Sequence, residues 1–319
     1  MPAVPPPTSL PTWKQAWDDA LYGAGGFYRR ESPAAHFRTS VHTSPLFAEA
    51  LVRMTRDAGL DTVVDIGAGR GELLSAVRRV DPGLDLLAVE VAARPPELDP
   101  AIAWTTALPE AVEGLVVANE WLDNIPCHVV EAGPDLVQRV VHVDPVTGEE
   151  QLGSPLDHAS VPSSLRSWLE RWWPLEQPGA RAEVGTTRDR AWSDVVGRLR
   201  RGIAVAVDYG HLRADRPPLG SLRSYRRGRE VDVLPDGTRD VTAPVAVDSV
   251  AAGVGAVLRR QRDVLHDLGV SARAPGPDLA SRAPEEYLRG LASAAEAGEL
   301  TVEGGLGDFW WLLTTKAGD

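Results

Sequence analysis

The sequence predicts a doubly wound α/β fold: a mostly parallel, seven-stranded, Rossmann-like sheet with helices on both faces, an N-terminal helical arm and an antiparallel insertion. Three observations predict it. Short runs that are apolar almost throughout, at 62–66 and 84–89, alternate with segments of helical period, as strands buried on both faces require. A glycine-rich turn, Gly67-Ala68-Gly69-Arg70-Gly71, follows the first run and opens a helix. The chain has 319 residues, 43% hydrophobic and 24% charged, enough for one large domain or two smaller ones with real cores.

The elements follow in order. Residues 1–11 are proline-rich and read as an extended tail. Trp13, Ala16, Trp17, Ala20 and Leu21 share a helical face that stops at Gly23, and Gly23, Gly25 and Gly26 lead into an arm over 27–44. Leu46, Phe47, Ala50, Leu51 and Met54 space a second helix, closed by Gly59. Then the period changes: the strand at 62–66, the glycine turn, a helix through Leu73, Leu74, Val77 and Val80, and strands at 84–89, 101–105 and 114–118. Residues 127–160 break this rhythm, with 129–131, 137–143 and a turn at Thr147-Gly148 reading as antiparallel ribbon inserted on the main sheet. Helical spacing returns over 163–173 and 187–201, and a fifth parallel strand covers 202–208. An Arg-, Pro- and Gly-rich segment extends to about 244, and 256–261 with 309–315 form a last antiparallel pair. The domain boundaries on this reading are 1–58 for tail and arm, 59–126 for the cofactor-binding half of the core, 127–160 for the insertion, and 161–319 for the rest of the core with acceptor-side loops.

Composition narrows the function. With 33 Lys plus Arg against 45 Asp plus Glu, the net charge of −12 repels phosphate backbones and disfavours nucleic acid as a partner. The single cysteine, Cys127, excludes a disulfide scaffold and fits a cytoplasmic protein. No apolar run approaches the ~20 residues of a membrane helix, and no secretory signal is visible. The histidines (36, 42, 128, 142, 158, 211, 266) show no metal-ligand spacing, so no metal is expected, and no G-x-S-x-G elbow supports a hydrolase. Trp168 and Trp172 read as core packing. The arginines at 223, 226, 227 and 229 read as a solvated loop, with contact to an acidic peptide as the alternative. No heptad or interface strand stands out to set an oligomeric state.

The chemistry concentrates at strand ends. Glycines at 67, 69 and 71 with Asp65 two residues upstream make a G-x-G-x-G loop, which suits S-adenosylmethionine. A dinucleotide loop would place its third glycine where Glu72 stands, and that carboxylate would meet a pyrophosphate. Glu90 ends the second strand, where an acid accepts both hydroxyls of a ribose. The expected cofactor residues are Asp65, Gly67, Ala68, Gly69, Gly71, Glu90 and Asn119. After the fourth strand comes Asn119-Glu120-Trp121-Leu122-Asp123-Asn124-Ile125-Pro126. There Glu120 and Asp123, with Asn119, are the candidate catalytic groups: they would orient a nucleophilic nitrogen or take its proton as the methyl arrives. Trp121, and Asp208 and Tyr209 at the end of the fifth strand, are candidates for the acceptor pocket.

The loop 119–126 resembles the N-E-F-F-D-A-L-P loop of the MidA-like class I methyltransferases, a family that includes a protein-arginine methyltransferase of mitochondrial complex I assembly. Gly26-Phe27-Tyr28 is similar to the family's G-Y-Y. Phe37-Arg38-Thr39-Ser40 with Ser44-Pro45-Leu46-Phe47 is similar to D-F-x-T-S-P-E-x-S-x-x-F, and the glycine loop to E-L-G-P-G-R-G-T-L. Asp208-Tyr209-Gly210, the stretch from Gly220 to Tyr225, and Asp240-Val241-Thr242-Ala243 match the C-terminal landmarks. The resemblance implies the class I fold, S-adenosylmethionine as cofactor, a protein or peptide nitrogen as acceptor with arginine favoured, and Thr39 and Ser40 among the acceptor-binding residues. His36, Val41, His42, Pro244 and Ala246 depart from the pattern. A small-molecule or natural-product peptide acceptor, on nitrogen or oxygen, is therefore the second reading, and a non-catalytic cofactor-binding assembly factor the third.

Overall fold

A computed structural model describes residues 10–30 and 44–318. They fall into two compact units: one drawn from residues 44–121, 195–209 and 256–318, the other from 10–30, 122–194 and 210–255.

The first unit holds the predicted seven-stranded sheet. Its strands are β1 (Thr62–Ile66), β2 (Asp85–Val89), β3 (Ile102–Thr105), β4 (Val112–Asn119), β5 (Leu199–Asp208), β6 (Val257–Arg260) and β7 (Trp310–Lys316). The spatial order is β6-β7-β5-β4-β1-β2-β3. Strands β1 to β5 are parallel, β7 runs antiparallel to β5, and β6 antiparallel to β7. The register levels the carboxyl ends: Ile66 lies opposite Val89, Asp65 opposite Val117, and Asn119 opposite Val207. Doubly wound sheets bind ligands outside that edge.

The core of this unit explains the apolar spacing. Phe47 and Leu51 of the helix Pro45–Asp57 and Leu74 and Val77 of the helix Glu72–Val80 pack with Val63, Leu115, Val117, Leu265, Leu300 and Trp311. Phe47 meets Trp311 edge-on at 5.8 Å. Burying each such side chain contributes about 2 kcal/mol. Ser44 caps the first of these helices by accepting from Leu46 N–H, and its hydroxyl donates to Glu296 at 2.7 Å.

Two expectations shift. The helix expected over 187–201 ends at Arg198, and β5 starts at Leu199, because β4 starts at Val112 and pairs there. The two strands then slip register after Val112, and the backbones come so close at Gly114 and Gly202 that a Cβ on Gly202 would strike Gly114 O. The helices Gln261–Asp267, Pro277–Arg282 and Pro284–Thr301 went unread in the sequence.

The second unit is built on a four-stranded antiparallel sheet, in the order Glu150–Pro155, Gln138–Val143, His128–Ala132, Arg181–Val184. The predicted ribbon supplies the first three. The fourth escapes notice because it is short and charged, although its Glu183 is buried and accepts from both the N–H and the hydroxyl of Ser221. The helix Ser163–Trp172 lays Leu165, Trp168 and Leu169 against this sheet. The helix Trp13–Tyr22 starts from a reciprocal cap between Thr12 and Gln15. It buries Trp13 and Ala16 against Val129, Val141 and Val143, and Trp17 and Leu21 against Cys127, Val241 and Ala243. The Arg- and Gly-rich segment before residue 244 is a small sheet of its own: Arg229–Val231, Arg223–Arg226 and Asp240–Thr242. Among the described residues no helix is long and apolar enough to cross a membrane.

Candidate functional site

In the first unit the carboxyl edge gathers most of the expected residues. Gly67, Gly69 and Gly71 all have left-handed backbones (φ 72°, 59° and 81°), which glycine adopts without a Cβ penalty. Gly67 N–H donates to Val89 O at 2.9 Å, and Gly71 N–H to Ala68 O at 2.7 Å. Glu90 is tied to the loop: one carboxylate oxygen accepts from Gly69 N–H at 3.0 Å and the other from Ala92 N–H at 2.9 Å. Each oxygen keeps a second lone pair for a hydroxyl. Trp121 lies against Gly67 so closely that a Cβ there would run into the indole. Asp65 is buried, and burial, with the nearby charges of Glu72 and Glu90, pushes its carboxyl well above the ordinary range and toward the neutral form.

The end of β4 is the strained point. Glu120 has φ 50°, a left-handed conformation that costs a residue with a Cβ about 1–2 kcal/mol. It is held there by its N–H, which donates to Val207 O at 2.8 Å. Asn119 Nδ2 donates to Glu120 Oε1 at 3.2 Å, while Asn119 Oδ1 is buried and has no partner among the described residues. Beside them at the end of β5, buried Asp208 accepts from Tyr209 N–H at 3.0 Å, and the Tyr209 ring meets Phe309 at 5.6 Å. This edge thus brings together Asp65, Gly67, Ala68, Gly69, Gly71, Glu90, Asn119, Glu120, Trp121, Asp208 and Tyr209.

Asp123 belongs to the second unit, within the single helical turn Leu122–Asn124. It is buried and accepts from Thr242 Oγ1 at 2.7 Å. Its neighbour Asn124 donates to Asp240 Oδ1 at 3.1 Å, and so does the Tyr28 hydroxyl at 2.8 Å. Burial, and then the charge of Asp123, push the Asp240 carboxyl up to about 7. Burial and Asp240 likewise raise the Tyr28 hydroxyl well above its ordinary value. Arg188, also buried, donates to three main-chain carbonyls: Asp123 O at 2.6 Å, Pro244 O at 3.1 Å and Ile125 O at 3.2 Å. Its guanidinium stands 5.7 Å from the centre of the Trp17 ring.

Residue reading missed Arg188, and it gave Tyr28, Asp240 and Thr242 no role. No local spacing links partners that lie 119 and 212 positions apart; the only signal was that Tyr28 and 240–243 fall in stretches resembling family landmarks. Thr39 and Ser40, with His36 and His42, lie outside the described residues. Among the described residues no group of three or more His, Cys, Asp or Glu is arranged to hold a metal. Trp168 is core, donating to Asp189 and Ser249 at 2.8 Å.

The family model described as "Putative S-adenosyl-L-methionine-dependent methyltransferase" matches residues 84–261, more than half of the 319. The chain belongs to that family. This methyltransferase is similar to a protein from Burkholderia thailandensis, described as a "likely methyl transferase" and solved bound to S-adenosyl-homocysteine. The two share 24% identity over 97% of this chain and 89% of that one, with a TM-score of 0.76. A second structure, of an uncharacterized protein from the same organism, shares 25% identity over 97% and 88% of the two chains, again with a TM-score of 0.76. No curated protein matches the sequence. The family's cofactor is S-adenosylmethionine, and the residues present fit it. The methyltransferase offers a turn of three left-handed glycines, an acid with spare lone pairs, and a buried Asn119 Oδ1 with no partner among the described residues.

Proposed function

We propose that this enzyme belongs to the MidA-like class I methyltransferases and N-methylates a protein or peptide side chain, arginine being the favoured residue, in the cytoplasm. The observation that carries the reading is Glu120: a carboxylate forced into a left-handed backbone at the end of β4, on the same sheet edge as the glycine loop. Strain of that kind persists only where the surrounding structure over-determines a residue, and such residues cluster at active sites. In this reading Gly67, Ala68, Gly69 and Gly71 hold the cofactor through their backbone, Glu90 takes its ribose, and Asp65 and Asn119 its remaining polar groups. When bound, the cofactor supplies an electrophilic methyl whose departure leaves a neutral thioether, so little acid catalysis is needed. Glu120 then orients a cationic acceptor by charge-assisted hydrogen bonds and takes up its proton. Asp123 shares that role on the strength of its place in the same loop. Trp121, Asp208, Tyr209, Thr39 and Ser40 complete the acceptor-binding set.

Calorimetric titration with S-adenosylmethionine, S-adenosylhomocysteine and NAD tests the cofactor residues. The two sulfur ligands bind, Gly69→Arg abolishes binding, and Glu90→Ala weakens it; binding of NAD alone would overturn the reading. For the acceptor, S-adenosylhomocysteine release is followed over arginine-containing peptides and their lysine-substituted counterparts. Glu120→Gln and Asp123→Asn keep the cofactor and lose the release. Release driven only by free metabolites would remove the protein acceptor.

A further inference from the structure

Four arginines, Arg223, Arg226, Arg227 and Arg229, fall within seven residues of a chain whose net charge is −12. The strands Arg223–Arg226 and Arg229–Val231 pair antiparallel, with Arg226 directly opposite Arg229. Arg227 (φ 50°) and Gly228 (φ 74°) form the two-residue turn, both left-handed. Such a turn prefers Asn, Asp or Gly at its first position, and like charges directly opposite weaken a hairpin. The tip therefore breaks two local rules at once, the pattern expected where a segment is kept for function. Arg223 pairs with Glu230, but no carboxylate among the described residues forms an ion pair with Arg226 or Arg229, and both are exposed. Arg226, Arg227, Arg229 and Val231 line an open concavity.

The base of the hairpin is fixed. Ser224 is buried opposite Val241, and Tyr225 lies opposite Asp240. That neighbouring strand is the one whose Asp240 and Thr242 bond Asn124 and Asp123. Arg226 thus stands one residue, about 3.4 Å along the strand, beyond the partner of Asp240.

We propose that the hairpin tip docks an acidic segment of the protein or peptide that carries the methyl acceptor. The inference rests on the protein-acceptor reading above and adds to it a recognition site made of residues that take no part in the transfer. Guanidinium forks match carboxylates in bidentate fashion, and the negative charge of the rest of the chain repels an acidic segment from other surfaces.

The test is fluorescence anisotropy of a labelled oligoglutamate peptide with the full chain at low salt. Arg226→Ala/Arg229→Ala weakens binding about tenfold, while the control pair Arg190→Ala/Arg289→Ala changes it about twofold or less. Arg226→Glu places opposite charges across the hairpin, so it raises the thermal midpoint while losing the peptide, a combination that a merely structural role does not give. Equal weakening by both alanine pairs overturns the proposal. So does tighter binding of oligothymidylate or phosphatidylserine vesicles through the same two arginines. Calorimetry with S-adenosylmethionine on the same samples separates the failures: protein that binds the cofactor and ignores the peptide sinks the docking site, whereas protein that binds no cofactor sinks the functional reading beneath it.

Discussion

The sheet edge around Gly67 and the polar cluster around Asp123 carry similar side chains but are held by different parts of the chain. At the edge, positions are set by the backbone: three left-handed glycines, Glu120 N–H on Val207 O, and Glu90 receiving Gly69 N–H. Around Asp123 they are set by side chains reaching from afar, with Arg188 on three carbonyls, Thr242 on Asp123, and Tyr28 and Asn124 on Asp240. A backbone-built site tolerates changes in most side chains and none in its turns. A side-chain-built one can fail through a single deletion, because every lost partner strands a buried polar group.

The largest effect should therefore come from Arg188→Met. It leaves the carbonyls of Asp123, Ile125 and Pro244 without their donor, and urea unfolding should register a loss of ~3 kcal/mol. A loss below ~1 kcal/mol would break the comparison. Gly67→Ala comes next, at ~2 kcal/mol, from the left-handed backbone and the collision with Trp121. Adding Trp121→Ala should return the collision part and leave the conformational part, which measures how far the edge depends on backbone alone.

A pH effect sharpens the other side. The Asp240 carboxyl, raised from 3.8 to about 7, favours the protonated fold, so its contribution is complete below the unfolded value and is lost as pH rises through 7. Buried His128 and His211, lowered from 6.5 to about 4 and about 3, act oppositely: their contribution is present above pH 6.5 and is lost as pH falls. Between pH 6.5 and 8 the unfolded histidines lose their last protons, so the pair gains about 0.8 kcal/mol while Asp240 loses about the same. Wild type should therefore stay nearly level between pH 6.5 and 8, and Asp240→Asn should gain about 0.8 kcal/mol over that window in thermal unfolding. The smallest expected effect is Glu120→Gly, a gain of about 0.5 kcal/mol from released strain, with methyl transfer lost.

The same division decides what the sequence reveals. The strands β1 to β5, the glycine loop and Glu90 are legible because each is a local pattern: an apolar run, a turn, an acid at a strand end. The pair β6 and β7 is legible for the same reason. The segment 223–242 reads as loop because its strands are short, its arginines mask the alternation, and three of the four buried residues of those strands, Ser224, Asp240 and Thr242, are polar. Arg188 sits on a helix face that looks polar, and nothing nearby shows that its partners are carbonyls 56 to 65 residues away. The boundary at Leu199 was hidden because Leu-Arg-Arg suits a helix end as well as a strand start.

Gly67 and Gly69 look equivalent in the loop, yet different neighbours hold them. The protein's own Trp121 closes the space over Gly67, whereas a Cβ on Gly69 would meet only the flexible end of Glu72 at 3.3 Å. A lineage that abandoned the cofactor would still have to keep the first glycine for the sake of its tryptophan. The second would be free to drift toward Asn or Asp, which tolerate that backbone. Among descendants of such a chain, Gly69 rather than Gly67 is the position that records whether the ligand is still in use.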